Sequence, residues 1–156
     1  MQQTPEAYID ESRERILSQL LDFLRIPSIS TDPQHRADVA TAADWVADRL
    51  REAGPLKVEV METAGHPVVY GEWLEAPGRP TVLVYGHYDV QPPDPLDKWH
   101  SEPFSPDIRD GRIYARGVSD DKGPMFIPIK VIEAYFATEG RLPINLKLLL
   151  EGEEEI

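Results

Sequence analysis

Cysteine is absent from all 156 residues. That removes disulfide staples, thiolate nucleophiles and cysteine-held metals together, and it fits a reducing compartment. Bases are scarce: 16 Lys and Arg stand against 28 Asp and Glu, for a net charge of −12 and a pI near 4.7. A general binder of nucleic acid or of an anionic membrane needs a basic face, so the charge argues against both partners. No stretch approaches the ~18 consecutive apolar residues of a membrane span. Met1 to Asp10 lacks the positive start and apolar run of a secretory leader. There is no G-x-S-x-G elbow, no P-loop and no internal repeat. These absences leave a soluble, acidic α/β protein, expected in the cytoplasm, long enough for one domain or part of one. Proline is plentiful, at 15 residues, so the loops are many and stiff.

Element signals follow along the chain. Thr4-Pro5-Glu6 reads as a helix start, with a capping hydroxyl, a first-turn proline and an acid near the positive end of the dipole. Apolar residues from Ile9 to Leu24 then mark one helix face, which ends before Pro27. A second helix is expected over Ala37 to Ala53, stopped by Gly54-Pro55. Lys57 to Met61 alternates like a strand, and Pro67 to Trp73 is a second candidate. Thr81 to Tyr85 is a continuous apolar run that suits a strand buried on both faces. Gln91 to Asp107 is a proline-rich loop, and Arg112 to Ala115 a short strand. Lys122 to Thr138 reads as a helix that Pro128 should kink or shift. Ile144 to Leu150 is another buried strand. The expected fold is a three-layer αβα arrangement around a mostly parallel mixed sheet, incomplete here.

Three polar clusters fall at one place in this scheme. Gly86-His87-Tyr88-Asp89 follows one strand. Gly117 to Gly123, containing Asp120 and Asp121, follows another and opens a helix. Glu151 to Glu155 follows the third. Ligands of open α/β sheets bind beyond the carboxyl ends of the strands. His, Asp and Glu delivered there without thiolate suit zinc, or manganese or cobalt. His87 and Asp89 point to one side if extended. The imidazole can then bind metal through one nitrogen and donate to the carboxylate through the other. The plainer alternative makes His87 a turn cap and Asp89 solvated. Of Asp120 and Asp121, one can serve a metal, where two oxygens can bridge a pair of cations, and the other can cap the helix or support the ligands from behind. Neighbouring glutamates at 153–155 face opposite ways, so one can reach a metal while another acts as general base. A solvated acidic run is the commoner alternative. His35, His66 and His100 read as surface residues. Trp45, Trp73 and Trp99 read as core or loop anchors.

In this order the clusters resemble the M20 family of metallopeptidases, di-zinc amidohydrolases, and most of all its dipeptidase, carnosinase-like branch. The resemblance is carried by FLRIPSIS at 23–30, GHYDVQP at 86–92, WHSEPFSPDIRDGRIYARGVSDDKGP at 99–124 and EGEEEI at 151–156. It implies that His87 is a ligand of one zinc and that Asp89 orients it. It also implies that Asp120 bridges the two metals, Glu154 is the general base and Glu155 is a ligand of the other zinc. The implied reaction is hydrolysis of the amide bond of a dipeptide or similar small substrate. The implied full-length enzyme is a homodimer with a lid domain. Residues 1–156 are then expected to be the N-terminal portion of the catalytic domain, lacking the lid, a later acidic ligand and a distal His, and so to bind metal weakly and be inactive alone. The alternative is a non-catalytic metal-binding or interaction module built on the same fold.

Overall fold

The computed structural model describes residues 3–156, so Met1 and Gln2, the first residues of the leader comparison, lie outside it. Thr4 Oγ1 accepts from the Ala7 amide and Pro5 takes the first turn of α1 (Pro5–Glu11). The expected single first helix is two, because the chain breaks at Ser12 before α2 (Arg13–Leu24) begins. Helix α3 (Arg36–Ala53) lies close to its expected bounds and buries Val39, Ala42, Ala43, Val46, Ala47, Leu50 and Ala53 along one face.

Strands β1 (Lys57–Met61), β2 (Val68–Trp73) and β3 (Thr81–His87) follow. A short hairpin, β4 (Asp107–Arg109) and β5 (Arg112–Tyr114), forms its own two-stranded sheet. Helix α4 (Lys122–Glu139) comes next, with Pro128 inside it, and then β6 (Asn145–Glu151). Pro128 is six residues into α4, and the helix continues through it to a left-handed Gly140.

The main sheet runs β1-β2-β6-β3. It is mixed, as expected of the α/β class, but its balance is not mostly parallel. Only β3 and β6 pair in parallel, while β1–β2 and β2–β6 are antiparallel. The parallel pair is joined through α4, the crossover that parallel strands require. On one face, Leu146, Leu148 and Leu150 of β6 join Val69 and Trp73 of β2 against Val46, Leu50, Met125 and Ile129 of α3 and α4. Gly71 lets the Leu50 and Leu148 side chains close over the sheet. Each fully buried leucine there contributes about 1.5–3 kcal/mol of transfer free energy. Beneath α4, Phe23 stacks on Trp45 at 4.4 Å between ring centroids.

The opposite face carries no helix among the described residues, so the third layer expected from the sequence is not formed there. Its β1–β2–β6 part is a polar row, in which Lys57 and Lys147 flank Glu72 at 4.0 and 3.9 Å. The expectation that Thr81–Tyr85 is buried on both faces is also corrected. Among the described residues β3 pairs only with β6, and Leu83 and Tyr85 are 61% and 54% exposed. An apolar run reports a preference for burial, and the neighbours that satisfy it are set by tertiary context. His66, read as a surface residue, is buried and its ring donates to the Ser30 carbonyl at 3.1 Å. His35 is half-buried beside Asp38, and His100 is exposed.

Candidate metal centre

Two of the three clusters come from strand ends, as anticipated. His87 closes β3 and Glu151 closes β6, and the parallel register sets them side by side. The third arrives differently. Asp120 lies in the loop between the β4–β5 hairpin and α4, not at the end of a main-sheet strand. What brings it to the sheet is Asp121, whose carboxylate accepts from the His87 amide at 3.2 Å. Gly86 makes this approach possible, since a Cβ there would lie 2.8 Å from Asp121 Oδ2.

His87 is the centre of the arrangement. Its Nδ1 lies 3.2 Å from the Asp89 carbonyl and 3.4 Å from the Asp89 carboxylate. Its Nε2 lies 3.1 Å from Asp120 Oδ1 and 3.9 Å from Glu154 Oε2. Burial opposes a charge on the ring, but Asp89, Asp121 and Asp120 outweigh it and push the His87 pKa up to about 9. With Nδ1–H committed to Asp89, Nε2 is the nitrogen that faces the acids and is available to a cation.

Asp89 does more than orient the ring. It is fully buried, and its two carboxylate oxygens accept from the amides of Glu154 (3.3 Å) and Glu155 (3.1 Å). Burial alone would raise its pKa, yet His87 and the Glu155 amide hold it below the ordinary carboxylate value. One buried side chain therefore ties the histidine strand to the glutamate turn. Gln91 completes the turn by donating to Glu155 Oε2 at 2.7 Å. Tyr88 is fully buried beneath it. Its amide donates to the Glu151 carbonyl and its hydroxyl to the Pro67 carbonyl. A Cβ at Gly152 would come within 2.6 Å of that hydroxyl, so the glycine is what lets the ring fit.

The expected site residues thus converge. His87, Asp120 and Glu155 each offer a donor atom, all within 4.8 Å of one another. Asp89 supports this group from below, and Glu154 stands at its rim with its side chain about half exposed. Imidazole and carboxylate donors at this spacing fit a divalent cation. The exposed Asp120 carboxylate has a second oxygen free for a further cation. Sequence reasoning left one of Asp120 and Asp121 as a cap or a support behind the ligands, and did not find the roles of Gln91, Tyr88 and Gly152. For Tyr88 and Gly152 the only signal was their presence inside the GHYDVQP and EGEEEI segments.

Known proteins resemble this chain in sequence and in fold. A profile described as peptidase family M20/M25/M40 matches residues 83–156, the span that holds every candidate ligand. The chain is 35% identical to a Cys-Gly metallodipeptidase of Candida albicans, over 94% of this chain and 33% of that protein. Among solved structures, the di-peptidase Dug1p from Saccharomyces cerevisiae superposes with a TM-score of 0.85 at 33% identity, covering 94% of this chain and 33% of that one. Human carnosine dipeptidase 1 does so with a TM-score of 0.87 at 33% identity, covering 95% and 34%. The chain spans about a third of the length of the curated relatives it matches.

Proposed function

Because this chain belongs to the M20 peptidase family, we propose that it carries the metal-binding half of a dipeptidase active site, for metal-dependent hydrolysis of a peptide bond in a small substrate. The observation that supports this best is the meeting of His87, Asp120 and Glu155 donors within 4.8 Å, drawn from three separate segments. His87 would hold one divalent cation, Glu155 a second, and Asp120 would bridge them. Zinc is the favoured ion, with manganese or cobalt as substitutes. Such cations polarise the scissile carbonyl and lower the pKa of water.

The protein's own groups prepare that chemistry. Asp89 keeps the Nδ1 proton of His87 in place, so that Nε2 presents its lone pair to the site. Asp89 also fixes the backbone of Glu154 and Glu155, which sets where both carboxylates reach. Glu154 is the general base. Its half-exposed carboxylate takes a proton from water at Oε2 and returns it to the leaving amine. Gln91 restrains the Glu155 carboxylate that a cation would use.

The expected full-length enzyme is a cytoplasmic homodimer, checked by fractionation and by sedimentation. Two protein ligands for each cation is one short of the usual catalytic set. Assayed alone, this chain should bind zinc weakly and show no turnover of a dipeptide with zinc, manganese or cobalt. Calorimetric titration with zinc tests the site itself. Asp120→Ala should weaken binding at least tenfold, and equal affinity in parent and variant would remove Asp120 from the metal.

A further inference from the structure

Lys122 is the one lysine with no exposed surface, and nothing in the chemistry above uses it. It starts α4, two residues after Asp120, and its side chain runs inward rather than to solvent. There Nζ donates to the Ile26 carbonyl at 2.6 Å and to the Phe23 carbonyl at 3.2 Å. Phe23 lies in the last turn of α2 and Ile26 two residues past its end, and each carbonyl also accepts one backbone amide, from Ile26 and Ser28 respectively, so Lys122 takes their second acceptor site. The ammonium also lies 4.8 Å from the centre of the Phe23 ring. Two carbonyl acceptors are satisfied by the amine or the ammonium alike, so the contact does not turn on the protonation state.

The loop that carries Asp120 is wrapped around this side chain. Gly117 has φ +82° and lies against the stem: a Cβ there would be 3.4 Å from Lys122 Cδ and 2.6 Å from Val90 Cγ1. At the other end of the loop, a Cβ at Gly123 would meet the Val118 carbonyl oxygen at 2.1 Å. The segment between these glycines is therefore tightly folded and held at two points. Asp121 fastens it to β3 through the His87 amide. Lys122 fastens it to α2. Asp120 lies immediately before both attachments, exposed, and among the described residues its one side-chain contact is with the His87 ring at 3.1 Å.

We propose that Lys122 is a positioning residue for Asp120, anchoring the Gly117–Asp121 loop to the carboxyl end of α2 so that the Asp120 carboxylate stays within reach of His87 Nε2. This rests on the metal site proposed above. A double-mutant cycle with zinc alone as the probe separates the two. Zinc affinity is measured by calorimetry on the parent, Lys122→Met, Asp120→Ala and the double variant, with circular dichroism melts alongside.

Lys122→Met should lower zinc affinity about tenfold in protein that is still folded, and should cause no further loss when Asp120 is already alanine. If Asp120→Ala alone leaves affinity unchanged, the metal site itself fails. If Lys122→Met lowers the melting temperature but not the affinity, Lys122 anchors only the core and the positioning role is overturned. Equal losses in both backgrounds overturn it as well, since the effect then bypasses Asp120. Should Lys122→Met not fold, the same cycle is run with Lys122→Gln, one bond shorter and still a donor, under the same criteria. Loss of folding in both variants would also overturn the proposal.

Discussion

Proton competition at His87 should dominate how this site takes up metal. The pKa of about 9 means that at pH 7 roughly one His87 in a hundred has a free Nε2 lone pair. A cation must displace that proton, so the apparent affinity at pH 7 should lie about 100-fold below its limiting value, or about 3 kcal/mol. Affinity should rise nearly tenfold per pH unit between pH 6 and 8 and level off around the pKa. The proton released gives a sharper measurement. At pH 7 the titration should free close to one proton per chain, read by calorimetry in buffers of different ionisation heat. A histidine at its ordinary pKa of about 6.5 would release only about a quarter of a proton. Manganese, a weaker Lewis acid than zinc, should release the same proton. Asp89→Asn removes the carboxylate that most favours the charged ring, and should reduce the count. A release near a quarter of a proton in the parent, or an affinity flat from pH 6 to 8, would refute this account. The same shift bears on the metal-free fold. A pKa raised on folding adds stability that is fully present below about pH 6.5 and is lost as pH rises through 9. Lys122, whose pKa burial pushes down to about 7, works in the opposite direction over the same range, so the His87 contribution is read as the difference in melting between the metal-free parent and His87→Gln, which should shrink from pH 6.5 to pH 9.5.

Further outcomes follow from individual contacts. Asp89→Ala strips both glutamate amides and the His87 ring of a buried acceptor, and should cost about 3 kcal/mol in denaturant unfolding together with most of the zinc affinity. Gly152→Ala drives a methyl into the Tyr88 ring and should destabilise by about 1–3 kcal/mol, while Gly78→Ala, in open space at φ +75°, should cost about 1 kcal/mol. Glu154→Gln in a full-length enzyme should lower kcat by at least 100-fold and change zinc affinity less than threefold, because the side chain stands at the rim of the donor group.

Local signals in the sequence carried most of the elements. Thr4-Pro5 opens α1, the apolar spacing of Val39, Val46 and Leu50 gives α3, and Gly54-Pro55 stops it. Each depends on residues within a turn or two of one another. The placing of His87 and the glutamates was legible for the same reason, since each directly follows a strongly apolar strand. What was not legible depends on partners far along the chain. The status of β3 as an edge is decided by which strands pair with it, not by Val82-Leu83-Val84. The route of Asp120 into the site depends on Asp121 meeting the His87 amide, 34 residues away. Asp89 was read through its neighbour His87, yet its heaviest duty is to amides 65 and 66 residues later. His66 looks polar and loop-bound beside Pro67, and only the fold supplies the Ser30 carbonyl that makes its burial affordable.

The unpaired side of β3 sets how this polypeptide behaves in a tube. Among the described residues no strand pairs with the outer side of β3 from Thr81 to Tyr85, and that border, dressed with Val82, Leu83 and Tyr85 and without a single lysine, is a template for another extended chain. Twelve surplus negative charges hold copies apart in dilute buffer. Salt shortens the reach of that repulsion and leaves the sticky border untouched. Concentrated or high-salt preparations should therefore drift toward larger species, and a lysine placed at Leu83 should keep them monomeric.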